Sequence, residues 1–236
     1  MPEAEKKQKW TSSWLTEPFV TSPTKDLHNV LWERAVQESA DFVEPFLPNV
    51  LLFQQKLHMF DYVVQRQLEV FNSGLCLEFG VAGGASINWL SQRMSSYKFV
   101  GFDSFVGLKE DWFGHHRGKG AFSQNSELPK VGKNVQLIPG WFDETLPLFV
   151  EKNKSDLEDL TLLHVDGDTY EAAVAVFDQL SIFLKPGVFV LFDELLCYPN
   201  WKNGEYRALC EMQAKFEVKY EFCAFSSAGQ ALIKII

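Results

Sequence analysis

The segment 75–84, reading LCLEFGVAGG, constrains this chain more than any other: an apolar run of strand length opens directly into a glycine-rich turn with an acidic residue at its mouth. Such a strand ends at the carboxyl edge of a parallel sheet, and Gly80, Gly83 and Gly84 let the backbone approach a ligand that side chains would hold off. A helix opening near Ala85 and Ser86 then offers unpaired N–H groups to an anionic group such as a carboxylate. An adenosine-carrying cofactor is the first expectation, cradled by Glu78, Gly80, Val81, Gly83 and Ser86. The glycines do not follow G-x-G-x-x-G, so a dinucleotide pyrophosphate fits the turn poorly.

From residue 74 onward, apolar runs alternate with helical patterns. Strands are predicted at 75–79, 98–102, 134–138, 160–165 and 188–192, with helices at 85–94 and 171–184, the order of a doubly wound parallel sheet. The last two of these strands are almost continuously apolar, as strands buried on both faces are. Two further strand-like runs, 219–225 and 230–236, are joined only by Ser226, Ser227, Ala228 and Gly229, so they must form an antiparallel hairpin. Ahead of the sheet, Leu27, Val30, Leu31 and Ala35 recur at helical spacing, and a second helix is read over 52–70. Residues 1–24 are polar, with Trp10, Trp14 and Phe19 isolated among them, and read as an arm. The expected division is therefore 1–70, an arm and helices for a lid or dimer contact, and 71–236, the main α/β Rossmann-like domain.

Composition narrows the partners. At 46% hydrophobic over 236 residues the chain can bury a sizeable core, and 31 acidic against 22 basic residues give a net charge of -9 with no basic stripe, which disfavours nucleic acid. Cys76, Cys197, Cys210 and Cys223 show no C-x-x-C spacing, and no run approaches the roughly 18 apolar residues of a membrane span. A cytoplasmic protein with a small-molecule partner is expected. A homodimer or larger homo-oligomer is also expected, with Trp10, Trp14 and Trp32 at its interface.

Polar residues stand at each strand end. Asp103 follows the second strand roughly 20 residues past the glycine turn, where a carboxylate accepts hydrogen bonds from the vicinal hydroxyls of a ribose. After the third strand, Gly140 permits close approach and Trp141 offers a flat face to an adenine. Asp166 and Asp168 follow the fourth strand, and Asp193 and Glu194 follow the fifth. Four carboxylates on one edge of a sheet are costly without a cation, and their oxygens suit a hard ion such as Mg2+, which would acidify a substrate hydroxyl. His164, inside its apolar strand, reads as a core histidine. The segment 114–129, with His115, His116, Arg117 and Lys119, reads as a lid over the substrate or as a solvated loop.

The ordered succession LEFGVAGGASI, VGFDSFVGL, KGAF, IPGWFDETLP, LLHVDGDTYEA, LKPGVFVLFDELLCYPNW and GQALIKI resembles the macrocin O-methyltransferase family from residue 75 to the C-terminus. That resemblance implies a class I methyltransferase fold, S-adenosylmethionine as methyl donor, and magnesium-dependent activity on a sugar hydroxyl. It assigns Glu78, Gly80 and Gly83 to the first cofactor motif, Asp103 with Ser104 to the ribose, and Trp141 to the adenine. By the same resemblance Asp166, Asp193 and Glu194 bind metal, and Asp168 is the general base. The chain departs from the family in carrying Asp193-Glu194 where antibiotic-pathway members carry Asp-Asp. It also reads Trp201-Lys202-Asn203-Gly204-Glu205 where relatives place a histidine before the glutamate. Two other readings stay open at this point. One is a non-catalytic module that only binds S-adenosylmethionine; the other, disfavoured by glycine spacing and hairpin, is a nicotinamide oxidoreductase.

Overall fold

The computed structural model describes residues 26–236; the arm with Trp10, Trp14 and Phe19 lies outside the described residues. Asp26 starts the first helix, α1 (Leu27–Val43), because its carboxylate accepts the His28 N–H at 2.9 Å and satisfies one of the donors a helix start leaves unpaired. A short strand, β1 (Leu51–Phe53), precedes α2 (Lys56–Val70). The chain then alternates through β2 (Leu75–Phe79), α3 (Ala85–Arg93), β3 (Lys98–Asp103), β4 (Val135–Pro139), α4 (Phe142–Lys152), α5 (Lys154–Leu157), β5 (Leu160–Val165) and α6 (Tyr170–Leu180). It closes with β6 (Phe189–Phe192), α7 (Glu205–Phe216), β7 (Tyr220–Ser226) and β8 (Ala231–Ile235).

These strands form one eight-stranded sheet in the order β1-β7-β8-β6-β5-β2-β3-β4. Only β8 runs against its neighbours, inserted between β6 and β7, so the expected hairpin finishes an otherwise parallel sheet. The edge strand β1 is a correction to the reading of 52–70 as one helix. Leu51 to Phe53 lie opposite Ala224 to Ser226 in parallel register, and the helix begins only at Lys56. The expected 171–184 helix ends at Leu180 and tightens into a 3-10 turn over Ser181–Phe183.

Side-chain alternation along the strands divides the interior in two. Leu75, Leu77 and Phe79 of β2, with Val190 and Phe192 of β6, pack toward α1, α4, α6 and α7, whereas Cys76, Leu162 and Leu191 face Met59, Phe60 and Val63 of α2 and Ile87 and Leu90 of α3. Every residue of β2, β5 and β6 is buried, and burying each large apolar side chain contributes about 1.5–3 kcal/mol. Strand order reverses between β2 and β5, so a crevice opens at their carboxyl ends, where sheets of this kind bind ligands. Register also sets Glu78 of β2 beside His164 of β5, two polar side chains on the α2–α3 face of the core.

Candidate active site

The backbone ladder continues one step past the strand ends and lines up the expected site residues. Gly80 N–H donates to the Phe102 carbonyl at 2.9 Å, Asp166 N–H to Phe79 at 2.8 Å, Asp193 N–H to Val165 at 2.9 Å and Gly140 N–H to Asp103 at 2.9 Å. Gly80 has φ +103°, and a Cβ there would fall 1.7 Å from the Asp166 carbonyl oxygen, so no side chain fits. A Cβ on Gly83 would meet nothing within 4 Å, which leaves open space above the turn.

Asp103 fastens this turn. One carboxylate oxygen accepts the N–H groups of Val81 (2.9 Å) and Ala82 (2.7 Å), and the other accepts that of Phe105 at 2.6 Å. Ala82 and Phe105 both have positive φ, at 44° and 56°, conformations that non-glycine residues hold only when their surroundings fix them. Beneath the turn Glu78, 1% exposed, accepts from the Ser86 hydroxyl at 2.7 Å and pairs with His164 Nδ1 at 3.0 Å. Glu78 is therefore a strut under the cradle rather than a residue of its surface.

A cavity of about 1020 Å³ lies over the crevice. Gly80, Val81, Gly83, Ser86, Asp103, Ser104 and Trp141 line one side, and Asp166, Asp168 and Glu194 the other. Of the expected site residues, Glu78, Gly140 and Asp193 stand behind this lining. The Ser104 hydroxyl is engaged within its own turn, donating to Gly107 O at 2.9 Å and accepting from Val106 N–H at 3.2 Å.

A family model described as a methyltransferase domain matches residues 77–195, just over half of the chain, from the β2 strand to the carboxylates after β6. The chain belongs to this methyltransferase domain family. Mycinamicin III 3''-O-methyltransferase of Micromonospora griseorubida is 35% identical over 201 residues, covering 74% of this chain and 76% of that protein. Demethyldecarbamoylnovobiocin O-methyltransferase of Streptomyces niveus is 24% identical over 149 residues, 60% of this chain; the match spans only about half, 52%, of that relative's length. The crystal structure of the calicheamicin methyltransferase, also described as a TDP-rhamnose 3'-O-methyltransferase, superposes with a TM-score of 0.59 at 21% identity and covers 91% of this chain and 94% of its own. That superposition establishes the shared fold.

The methyltransferase domain gathers its acidic residues opposite the glycine turn. Oxygens of Asp166, Asp168 and Glu194 lie within 4.8 Å of one another, and Asp168 is presented from a left-handed turn with φ +64°. Burial, then the Asp193 charge, pushes the Asp166 carboxyl well above the usual range; the same two causes raise Glu194, and they bring Asp168 up to about 7. Glu194 Oε2 is buried with no hydrogen-bond partner among the described residues. These three carboxylates fit a hard divalent cation in spacing, chemistry and unsatisfied oxygen.

Asp193 lies with Asp166 and His164 in a second group whose ligand atoms are within 4.8 Å of one another, as sequence placed it beside Asp166, but its oxygens already have donors. One of its oxygens accepts from Gln230 Nε2 at 2.5 Å and the other is paired with Lys56. Burial would raise its carboxyl, but His164, Glu194 and Lys56 together hold it below the usual range. His164, 1% exposed, has Nε2 3.8 Å from Asp193, and although burial opposes its charge, Asp193 and Glu78 push the imidazole up to about 10. The core histidine thus pairs with Glu78 through Nδ1 and faces Asp193 with an Nε2 that has no hydrogen-bond partner among the described residues, in surroundings that favour its charged form.

Three features of the site escaped the sequence reading. Lys56, at the start of α2, reaches the carboxylates from outside the strand-end pattern. Glu205, fully buried at the start of α7, accepts the Glu194 N–H at 3.3 Å and keeps its other oxygen unpartnered among the described residues; it was visible only as part of a departing motif. Trp112 stacks on His115 with ring centroids 4.1 Å apart, and both line the cavity. Gly114, at φ +89°, sits where a Cβ would come within 1.9 Å of the Pro199 carbonyl oxygen, so this loop is docked on the segment after β6.

Proposed function

We propose that the chain transfers the methyl group of S-adenosylmethionine to an oxygen of a small acceptor, a hydroxyl on a sugar or glycosylated metabolite, with a divalent cation, Mg2+, at the carboxylate cluster. The observation that carries this reading is the pairing of two walls across one cavity: a glycine turn with open space above it, and three carboxylates with oxygens close enough to share one ion. The names of the mycinamicin and novobiocin relatives, both O-methyltransferases, and of the TDP-rhamnose enzyme support the choice of acceptor.

Gly80, Val81, Gly83 and Ser86 hold the methionine end of the donor, Asp103 and Ser104 its ribose, and Trp141 its adenine. The methyl carbon leaves the sulfonium as the acceptor oxygen attacks in line, S-adenosylhomocysteine departs, and Asp168 takes the hydroxyl proton. Asp168, which lines the cavity from its left-handed turn, stands where it can take that proton. A divalent cation held by Asp166, Asp168 and Glu194 would lower the pKa of a coordinated hydroxyl. Holding donor carbon and acceptor oxygen at attacking distance supplies much of the acceleration.

In this reading residues 71–236 form the catalytic domain and the arm and helices of 1–70 shape the lid or a homodimer contact, where Leu27, Leu31 and Val36 of α1 are exposed. The protein works in the cytoplasm, consistent with its free cysteines. Among the described residues no helix is long and apolar enough to cross a membrane. The test is formation of S-adenosylhomocysteine from S-adenosylmethionine with a panel of glycosylated acceptors, with Mg2+ and with chelator. Tight donor binding without turnover on any acceptor would favour a non-catalytic binding module, and equal turnover in chelator would remove the cation.

A further inference from the structure

The β1 strand fixes where Lys56 stands. Its pairing with β7, the Ser227 N–H bond to the Phe53 carbonyl (2.8 Å) and the Ser227 hydroxyl bond to the Gln54 carbonyl (2.8 Å) pin the backbone immediately before α2 to the β7–β8 turn. One turn further on, Met59 and Phe60 are buried and anchor the helix to the sheet. The side chain is left one direction of use: Lys56 lines the cavity and its ammonium pairs with Asp193. With Gln230 on the other oxygen of Asp193, each oxygen of that carboxylate has a donor.

Among the described residues, the basic side chains around the cluster are few. His164 lies behind it, Arg117 faces it from the docked loop, and Lys109, which also lines the cavity, is bound to Asp143 at 2.7 Å. Among the described residues, Lys56 is the cation whose ammonium pairs within the cluster, with Asp166 and Glu194 acting on it as well as Asp193.

We propose that Lys56 is a positioning residue for the divalent cation: it keeps Asp193 out of the coordination set and, as a tethered charge beside Asp166, Asp168 and Glu194, lowers the affinity of that site. The inference rests on the cation reading given above. It accounts for a cluster of carboxylates that holds together before any ion arrives, because the ammonium offsets part of their repulsion, and for Asp168 facing the cavity while Asp193 does not. It makes the ion an exchangeable component, weakly held in the resting protein.

The test is direct binding of Mn2+, followed by electron paramagnetic resonance, and of Mg2+ by calorimetry, to the full chain and to Lys56→Gln and Lys56→Arg. Removing one unit charge a few ångströms from the ion and freeing an Asp193 oxygen should tighten Mn2+ binding in Lys56→Gln by about tenfold or more. Lys56→Arg, which keeps the charge, should stay within about threefold of the native protein. Adding Asp193→Asn to Lys56→Gln should remove most of the gain if the freed carboxylate is its source. Appearance of binding in Lys56→Gln where the native chain shows none supports the proposal equally. Equal or weaker binding in Lys56→Gln, or the same gain in Lys56→Arg, overturns it and leaves the cation site standing. Absence of binding in every variant overturns both.

Discussion

The two walls of the cleft are built on opposite principles. On the β2–β3 side each carboxylate oxygen has a donor: Asp103 takes three backbone N–H groups, and Glu78 is shared between Ser86 and His164. On the β5–β6 side Asp166, Asp168, Glu194 and Glu205 have carboxyls held above their usual range by burial and then by the Asp193 charge. A satisfied carboxylate stiffens backbone, and it costs little to keep because its hydrogen bonds replace those it made with water. An unsatisfied one is a standing cost that a ligand of the right charge relieves. The first wall is therefore a mould, and the second, in the proposed function, is a receptor for positive charge and for the proton that the reaction releases.

The sharpest way to break the mould is Gly80→Ala. The methyl group would fall within bonding distance of the Asp166 carbonyl oxygen at a φ that L-residues avoid, and a cost of about 3 kcal/mol or more follows. Thermal melting should fall by many degrees and S-adenosylhomocysteine binding should vanish in calorimetry; retention of both would show that the turn is not the rigid element described. Asp103→Asn is gentler. Its amide would turn a donor toward the N–H groups of Val81 and Ala82 or Phe105, leaving buried donors unpaired at about 1–3 kcal/mol. Donor-product affinity should drop by about tenfold or more while Mn2+ binding is unchanged, and parallel losses of both would join the two walls that the comparison separates.

The smallest effect is expected in the loop over the cavity. Burial first, then His116, Arg117 and His28, lowers the His115 imidazole from its ordinary value to about 4, while Trp112 and Trp32 pack on its ring. The fold thus favours neutral His115, and between about pH 6.5 and pH 4 the unfolded chain binds more protons than the folded one. The contribution of His115 is present above pH 6.5 and is lost as pH falls toward 4. Melting temperatures of the native chain and His115→Phe, followed from pH 7 to pH 4.5, should diverge by a few degrees, the native chain losing more. Parallel curves would show that His115 is not held neutral.

How far the sequence revealed these walls depends on how local their determinants are. The strands β2 and β5 were legible because both are apolar throughout, and β2 opens into a run whose spacing of glycines only a turn accommodates. The terminal hairpin followed from a connection too short for a helix, and the strand-end carboxylates followed from the strands. In contrast, β1 is three residues long and defined only by pairing with β7, across Leu51 and Ala224, so its run was absorbed into the neighbouring helix. Lys56 inherits that invisibility, since nothing near it in sequence indicates the carboxylate it meets. Asp193 and Asp168 were both visible as strand-end acids, but which oxygens face the cavity depends on Gln230, Lys56 and the left-handed turn at Asp168.

The division of labour between the walls is tested most directly by one paired measurement on Asp166→Asn. S-adenosylhomocysteine affinity is determined by calorimetry, and methyl transfer to an accepted acceptor is determined in the same preparation with Mg2+ present. Donor-product affinity should stay within about threefold of the native chain while turnover falls by about a thousandfold or more. Turnover near the native rate, or loss of donor binding in step with turnover, would contradict the account.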